Sequence, residues 1–238
     1  MYFDPLYLLF MLPALAFSLI ATFMTRSAFN KYSKVRTARG LTGAQAAQAM
    51  LQGAGISDVQ IQPHQGMLSD HYNPANKTLN LSEGVYGASS VAAVGVACHE
   101  AGHAIQHANG YKPLALRSAL VPTASIGSNV GYIVMMLGLF LMYSSHGASG
   151  QGVVLLGAVL FSAVLLFQIV TLPVEFDASN RAKRLAVEQG IVLPQERQGM
   201  DRVLNAAALT YVAAAVSTLL TLLYYLMRAG LLGGRSRS

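Results

Sequence analysis

Three long charge-free stretches divide the chain. Residues 5–25, PLYLLFMLPALAFSLIATFMT, lie uncharged between Asp4 and Arg26. There is no Asp, Glu, Lys or Arg from Ser118 to Val174, nor from Val203 to Met227 between Arg202 and Arg228. A helix that crosses the hydrocarbon of a bilayer needs roughly 20 apolar residues in a row. The first and third stretches reach that length once. The middle one is long enough for two spans of about 20 to 25 residues, and SSHGASGQG at 144–152 supplies small polar and glycine residues for a turn between them. The pattern therefore predicts four membrane-spanning helices, with the middle two forming a hairpin. The first span has no early basic residues and no small-residue cleavage site before a polar segment, so it reads as a retained anchor. Tyr211, Tyr224 and Tyr225, near the ends of the last span, suit the membrane interface.

Between the apolar stretches the periodicity changes. In LTGAQAAQAMLQGAG, Thr42 and Gln45 have capping-box spacing and predict a helix over about residues 43–52. In DVQIQPHQGMLSDHYNPANKTLNLS, Val59 and Ile61 alternate with polar neighbours, as do Leu79 and Leu81, and NPANK is turn material. A small antiparallel sheet is expected there. Next, EGVYGASSVAAVGVACHEAGHAIQHANG predicts a helix capped by Ser89 or Ser90 and ending at Asn109 and Gly110. Its small residues, Ala92, Ala93, Gly95, Ala97, Ala101 and Gly102, allow other backbones to come close.

The expected fold class is thus a mainly α membrane protein, with four transmembrane helices and a small α+β cytosolic region. The expected division is a first transmembrane helix over 1–25 and a polar region with sheet and motif helix over 26–117. A hairpin over 118–174, a polar helix over 175–202, a last span over 203–228 and a tail over 229–238 complete it.

Composition agrees with a membrane setting. Only 11% of residues are charged and the mean hydropathy is +0.44, whereas about a quarter of an ordinary soluble domain is charged. The net charge of +6 is unevenly placed. Arg26, Lys31, Lys34, Arg36 and Arg39 follow the first span, and Arg181, Lys183, Arg184, Arg197 and Arg202 lie before the last. Basic loops stay cytoplasmic, so both polar regions are expected to face the cytosol. Four spans then place Arg228, Arg235 and Arg237 on the opposite side, against the rule, but the two internal loops carry more charge. The basic excess reads as topology and contact with the lipid bilayer. Nucleic acid is not an expected partner, because no aromatic residues interleave a basic face. Cys98 is the only cysteine, which excludes an internal disulfide or a multi-cysteine metal site and leaves it a packing role.

Within the motif helix, HEAGH places His99 and His103 four residues apart, on one helical face, with Glu100 after the first. Two imidazoles so placed can share one zinc ion. A catalytic zinc takes three protein ligands and keeps a place for water, so a third ligand is needed. His107 continues the series but lies about 12 Å from His99 along the axis at 1.5 Å per residue, too far to join both. Asp4, Asp58, Glu83, Glu188, Glu196 and Asp201 sit near termini, turns or charged faces. Glu175 differs: in TLPVEFDASNRAKRLA it directly follows the second arm of the hairpin, with Pro173 ahead of a helical run. Two crossings return the chain to the side of the motif helix, so Glu175 can reach the histidines.

HEAGH followed by a membrane hairpin and EFDASNRA resembles the HtpX-like and CAAX prenyl protease metallopeptidases, whose second motif begins with the zinc-binding glutamate. More closely, LSDHYNP, LNLS, SVAAVGVACHEAGHAIQ and LPVEFDASNRA together resemble the YugP-type neutral zinc metallopeptidases of bacterial membranes, over roughly residues 40–205. The resemblance implies Zn²⁺ as cofactor, His99, His103 and Glu175 as its ligands, and Glu100 as general base. It also implies that the small α+β cytosolic region is zincin-like, with peptide or membrane-protein substrates and a place in the bacterial inner membrane.

One departure stands out. Four residues past the ligand glutamate, the HtpX-like pattern has an aspartate that orients a histidine, and here that position is Ser179. Asp177 is expected to turn toward Arg181 at i+4. Ser179, Asn180 or a backbone carbonyl is left to hold the histidine. His71, Tyr72 and Arg181, with Asn180 behind them, are candidates for contacting substrate or the developing oxyanion. KTLNLS is a candidate strand for pairing with extended substrate.

Other functions fit less well. ATP-driven proteases with a similar motif need a G-x-x-x-x-G-K-[ST] loop, which is absent. An intramembrane site-2-type protease needs its histidines inside a span and an Asp-Gly partner motif; no Asp-Gly pair occurs. A non-catalytic membrane zinc-binding or scaffold protein would usually fill all four zinc positions with protein ligands, commonly cysteines, and Cys98 points about 100° from His99. The expected function is therefore a membrane-bound zinc metalloendopeptidase.

Overall fold

The computed structural model describes residues 4–66, 68–145 and 148–232. In chain order the elements are α1 (Pro5–Tyr32), α2 (Gly43–Gly53), β1 (Gln60–His64), β2 (His71–Asn73), β3 (Thr78–Ser82), α3 (Glu83–Tyr86) and α4 (Val91–Ala108). There follow α5 (Lys112–Ile126), a π-helical turn at Gly127–Gly131, α6 (Tyr132–Ser145), α7 (Ala148–Glu188) and α8 (Arg197–Arg228). Among the described residues, four helical stretches are long and apolar enough to span a membrane: Pro5–Tyr32, Lys112–Ser144, Ser149–Glu188 and Arg197–Arg228. The centre of the expected hairpin turn, His146 and Gly147, lies outside the described residues, as do Arg235 and Arg237 of the tail.

The helices run beyond the charge-free stretches, because charged side chains are tolerated at helix ends that leave the hydrocarbon. Pro173 does not start a helix as expected; it lies inside α7, which continues unbroken to Glu188. Membrane helices tolerate internal proline where neighbouring groups satisfy the freed backbone. Glu175 thus rides on the spanning helix itself. Along α1, Leu9, Leu15, Leu19 and Phe23 are exposed, as suits a helix whose solvent is lipid.

The chain forms two compact units. One contains the residues up to Ile20, Leu116–Thr171 and those from Tyr211 onward. Here α6 and α7 pack along a glycine seam: a Cβ on Gly138 would lie 2.5 Å from Val154 N, and one on Gly157 2.5 Å from Met135 N. Small residues let the two backbones touch, which is how helices associate where no hydrophobic force acts between them. Arg228 pairs with Asp4 at 2.9 Å and also bonds the Tyr143 hydroxyl.

The other unit contains Ala21–Ala115 and Leu172–Thr210. Its core joins Met50 and Leu51 of α2, Leu79 and Leu81 of β3, Val94 and Ala101 of α4, and Ala182 and Ala186 of α7. The capping box forms as expected, with Thr42 N donating to Gln45 Oε1 (2.9 Å) and Gln45 N to Thr42 Oγ1 (3.3 Å).

The sheet differs from the antiparallel expectation. Its order is β1-β3-β2, with β3 antiparallel to β2 but parallel to β1. NPANK closes a tight hairpin between β2 and β3, so the missed strand HYN takes one side of β3. The chain has already reversed between β1 and β2, and β1, filling the other side, must run with β3. In consequence, the TLNLS of KTLNLS is a central, fully buried strand and not a free edge for substrate.

Candidate metal centre

Helix α4 begins where the Ser90 hydroxyl accepts from Ala93 N at 3.2 Å and ends through Asn109 and Gly110, whose φ of +62° is a conformation glycine adopts at little cost. Between these caps the i, i+4 spacing stacks His99 and His103 on one face, ring centroids 4.7 Å apart. Helix α7 brings the third donor. Glu175 Oε2 lies 3.3 Å from His99 Nε2 and 3.6 Å from His103 Nε2. All three ligand atoms fall within 4.8 Å of one another, with Glu175 only 2% exposed.

Gly102 permits this convergence. A Cβ there would sit 2.7 Å from Ala178 O and 3.3 Å from Ala178 Cα, so only hydrogen lets α4 lie this close to the turn after Glu175. Gly102→Ala is expected to push the helices apart, at a cost of about 1–3 kcal/mol. Thermal unfolding and zinc titration in detergent should show a lowered midpoint and weaker binding. Wild-type values for both would mean the close approach is dispensable.

The remaining ring nitrogens are held from behind. Ser179 Oγ lies 3.1 Å from His99 Nδ1, and Gln106 Oε1 lies 3.0 Å from His103 Nδ1. Gln106 Nε2 donates to Val174 O and to Asp177 Oδ2, both at 2.8 Å. With its amide hydrogens so engaged, Gln106 presents only its oxygen to His103. His103 Nδ1 must therefore carry a proton, which leaves Nε2, facing Glu175 at 3.6 Å, as the nitrogen whose lone pair a metal would take. Facing a buried carboxylate, Nε2 is satisfied either by a proton of its own or by a cation held between the two. Burial by itself lowers the pKa of His103, but the carboxylates of Glu175 and Glu100 outweigh it and hold it above the ordinary histidine value. Two imidazole nitrogens and a carboxylate oxygen form a donor set suited to zinc.

Gln106 was not singled out in the sequence, although its place three residues past His103, on the same helical face, is a detectable signal. Gln106→Leu is expected to weaken zinc binding by about 10–100-fold, the usual effect of losing a partner behind a metal ligand. Competition against a zinc chelator measures this; unchanged affinity would remove Gln106 from the support of His103.

The other singled-out residues lie as follows. Asp177 bonds Arg181 Nε at 2.6 Å, as expected, as well as Gln106. Arg181 also stands over the Tyr111 ring, 5.8 Å from its centroid. The Tyr72 hydroxyl bonds His107 Nδ1 at 2.9 Å, and burial, followed by Asp58, raises the Tyr72 pKa. His71 is exposed and tied into the sheet region by Ser69 O (2.8 Å) and Asn80 Nδ2 (3.1 Å). Asn180 is exposed, and Glu100 is buried beside the donors. Burial pushes the Cys98 thiol up to about 12, so it packs as an inert small residue.

Comparison with known proteins agrees with this geometry. “Putative membrane protease YugP” of Bacillus subtilis (strain 168) is 42% identical over 222 residues, covering 93% of this chain and 96% of that protein. No solved structure matches the chain. A family model described as “Putative neutral zinc metallopeptidase” matches residues 7–230, nearly the whole length, and the chain belongs to that family.

Proposed function

We propose that the protein is a membrane-bound zinc metalloendopeptidase that hydrolyses peptide bonds in membrane proteins or peptides. The observation that carries this reading is the convergence of His99, His103 and Glu175 within 4.8 Å, beside a buried Glu100. Zinc held by those three side chains would supply Lewis acidity, activating water and polarising the scissile carbonyl. Glu100, adjacent to the ligands in the chain, takes the proton of the attacking water and passes it to the leaving nitrogen. Ser179 and Gln106 keep the two imidazoles aimed while this happens.

Because β3 is paired on both sides, an outer strand must receive extended substrate, and of β1 and β2 it is β2 that Tyr72 ties to α4 at His107. Arg181, held by Asp177 and Tyr111, is a preorganised cation for the developing oxyanion, and Tyr72 is the second candidate contact. His71 and Asn180 have weaker support, one engaged with the sheet region and the other exposed.

A closed structural zinc site would use four protein ligands. The cluster found among the described residues has three, which favours catalysis. The basic residues of 26–39 and 181–202 belong to the same unit as the donors, which supports a centre facing the cytosol of a bacterial cell.

The purified full-length protein is expected to cleave casein or membrane-protein substrates, to lose activity with 1,10-phenanthroline and to regain it with added zinc. Zinc-loaded protein inert toward all of them would leave the scaffold reading in place.

A further inference from the structure

Apart from the donor cluster, α1, α7 and α8 line a cavity of about 580 Å³. Its size falls within the range of small-molecule sites, about 300–1,000 Å³. The lining divides by chemistry. Phe23 and Met24 of α1, Phe176 of α7 and Leu209 of α8 form an apolar wall, while Lys31, Arg202 and Asn205 form a polar one. No acidic residue is among the lining residues.

The polar wall is cationic and rich in donors. Neither Lys31 nor Arg202 forms an ion pair with a carboxylate among the described residues. Asn205 Oδ1 accepts from the buried Lys183 Nζ, so the amide N–H groups are what Asn205 offers the cavity. Position matters as well. Lys31 occupies the last turn of α1, and Arg202 stands where the charge-free part of α8 begins. Cations at the ends of spans lie at headgroup depth, whereas Phe23, 72% exposed, faces the acyl region.

We propose that this cavity binds one anionic phospholipid, with an acyl chain along the apolar wall and the phosphate between Lys31 and Arg202, where Asn205 donates to it. A phospholipid satisfies both walls at once. A soluble anion would leave the Phe23 to Leu209 wall uncovered, and an apolar partner helix would leave two cations without an anion, one of them, Lys31, resting only on the Tyr32 ring. The assignment stands apart from the peptidase reading, although Phe176 follows Glu175 directly and the lipid would pack on the turn that carries it.

The test reconstitutes the full-length protein in bilayers of phosphatidylcholine with a minor fraction of phosphatidylglycerol, extracts it gently and quantifies retained lipid by mass spectrometry. Wild type should enrich phosphatidylglycerol roughly tenfold over its bulk fraction, in keeping with two basic contacts. The double variant K31Q/R202Q should lose that enrichment, and K34Q/R36Q, basic but outside the cavity, should keep it. Leu209→Trp, which fills the cavity and spares the charges, should reduce retention of lipid altogether. Circular dichroism and zinc content show that each variant is folded. Five results would overturn the proposal: no enrichment in wild type, retained enrichment in K31Q/R202Q, equal loss in K34Q/R36Q, full retention in Leu209→Trp, or displacement of the lipid by excess inorganic phosphate.

Discussion

Glu175→Ala is expected to leave the full-length protein without stoichiometric zinc and without peptidase activity. Its carboxylate is the only donor that α7 contributes to the cluster, 3.3 and 3.6 Å from the two imidazoles. Removing it leaves two ligands, both on α4. The fall in zinc affinity should exceed the 10–100-fold seen when only a supporting partner is lost. Metal content by mass spectrometry and cleavage of casein measure the two effects on one sample. A variant that keeps one zinc per chain and cleaves at the wild-type rate would dissolve the proposed centre.

For Glu100→Gln the opposite separation is expected: zinc retained, cleavage reduced by about 10²–10⁴-fold, the range for a positioned acid-base group. Glu100 follows His99 on α4 but is not one of the three clustered donors. The amide preserves the shape of the side chain and cannot carry the proton from water to the leaving nitrogen. If cleavage were unchanged, another group would have to be the base. If zinc were lost as well, Glu100 would act through metal binding, and its role would be that of a ligand. Together with Glu175→Ala, this variant separates holding the metal from using it.

Much of this site was readable in advance, because its first half is local. His99 and His103 are four residues apart on one helix, and a 3.6-residue period puts them on one face whatever surrounds them. The capping residues Thr42, Gln45 and Ser90 act within three residues of themselves, and their helices start where expected. The support behind the histidines was only partly legible. Ser179 was a candidate, but Gln106 reaches across to Val174 and Asp177 on another helix, and nothing in its neighbours announces that. Asp177 was read only through its i+4 partner Arg181; its bond to Gln106 depends on how α4 lies against α7.

The sheet shows the same division. NPANK marked a turn correctly, yet the three-residue strand HYN was too short to show a period, and β1 was assigned the wrong direction relative to β3. Strand direction is a property of pairing between distant segments, so the alternation of Val59 and Ile61 carries no information about it. Pro173 was read by its usual effect in water, where it starts helices more readily than it lies within them. In α7 its surroundings override that preference.

By itself the sequence determined the spans, the capped helices and the histidine pair, since each rests on apolar run length or on contacts within a few residues, and the family, which rests on motifs read together along the chain. The tertiary structure decided that Gln106 holds the far nitrogen of His103, that β3 is the central strand of the sheet, and that α1, α7 and α8 enclose a cationic cavity. Those outcomes depend on how closely separate helices can approach. At the donor cluster that distance is set by the missing side chain of Gly102 against the backbone of Ala178.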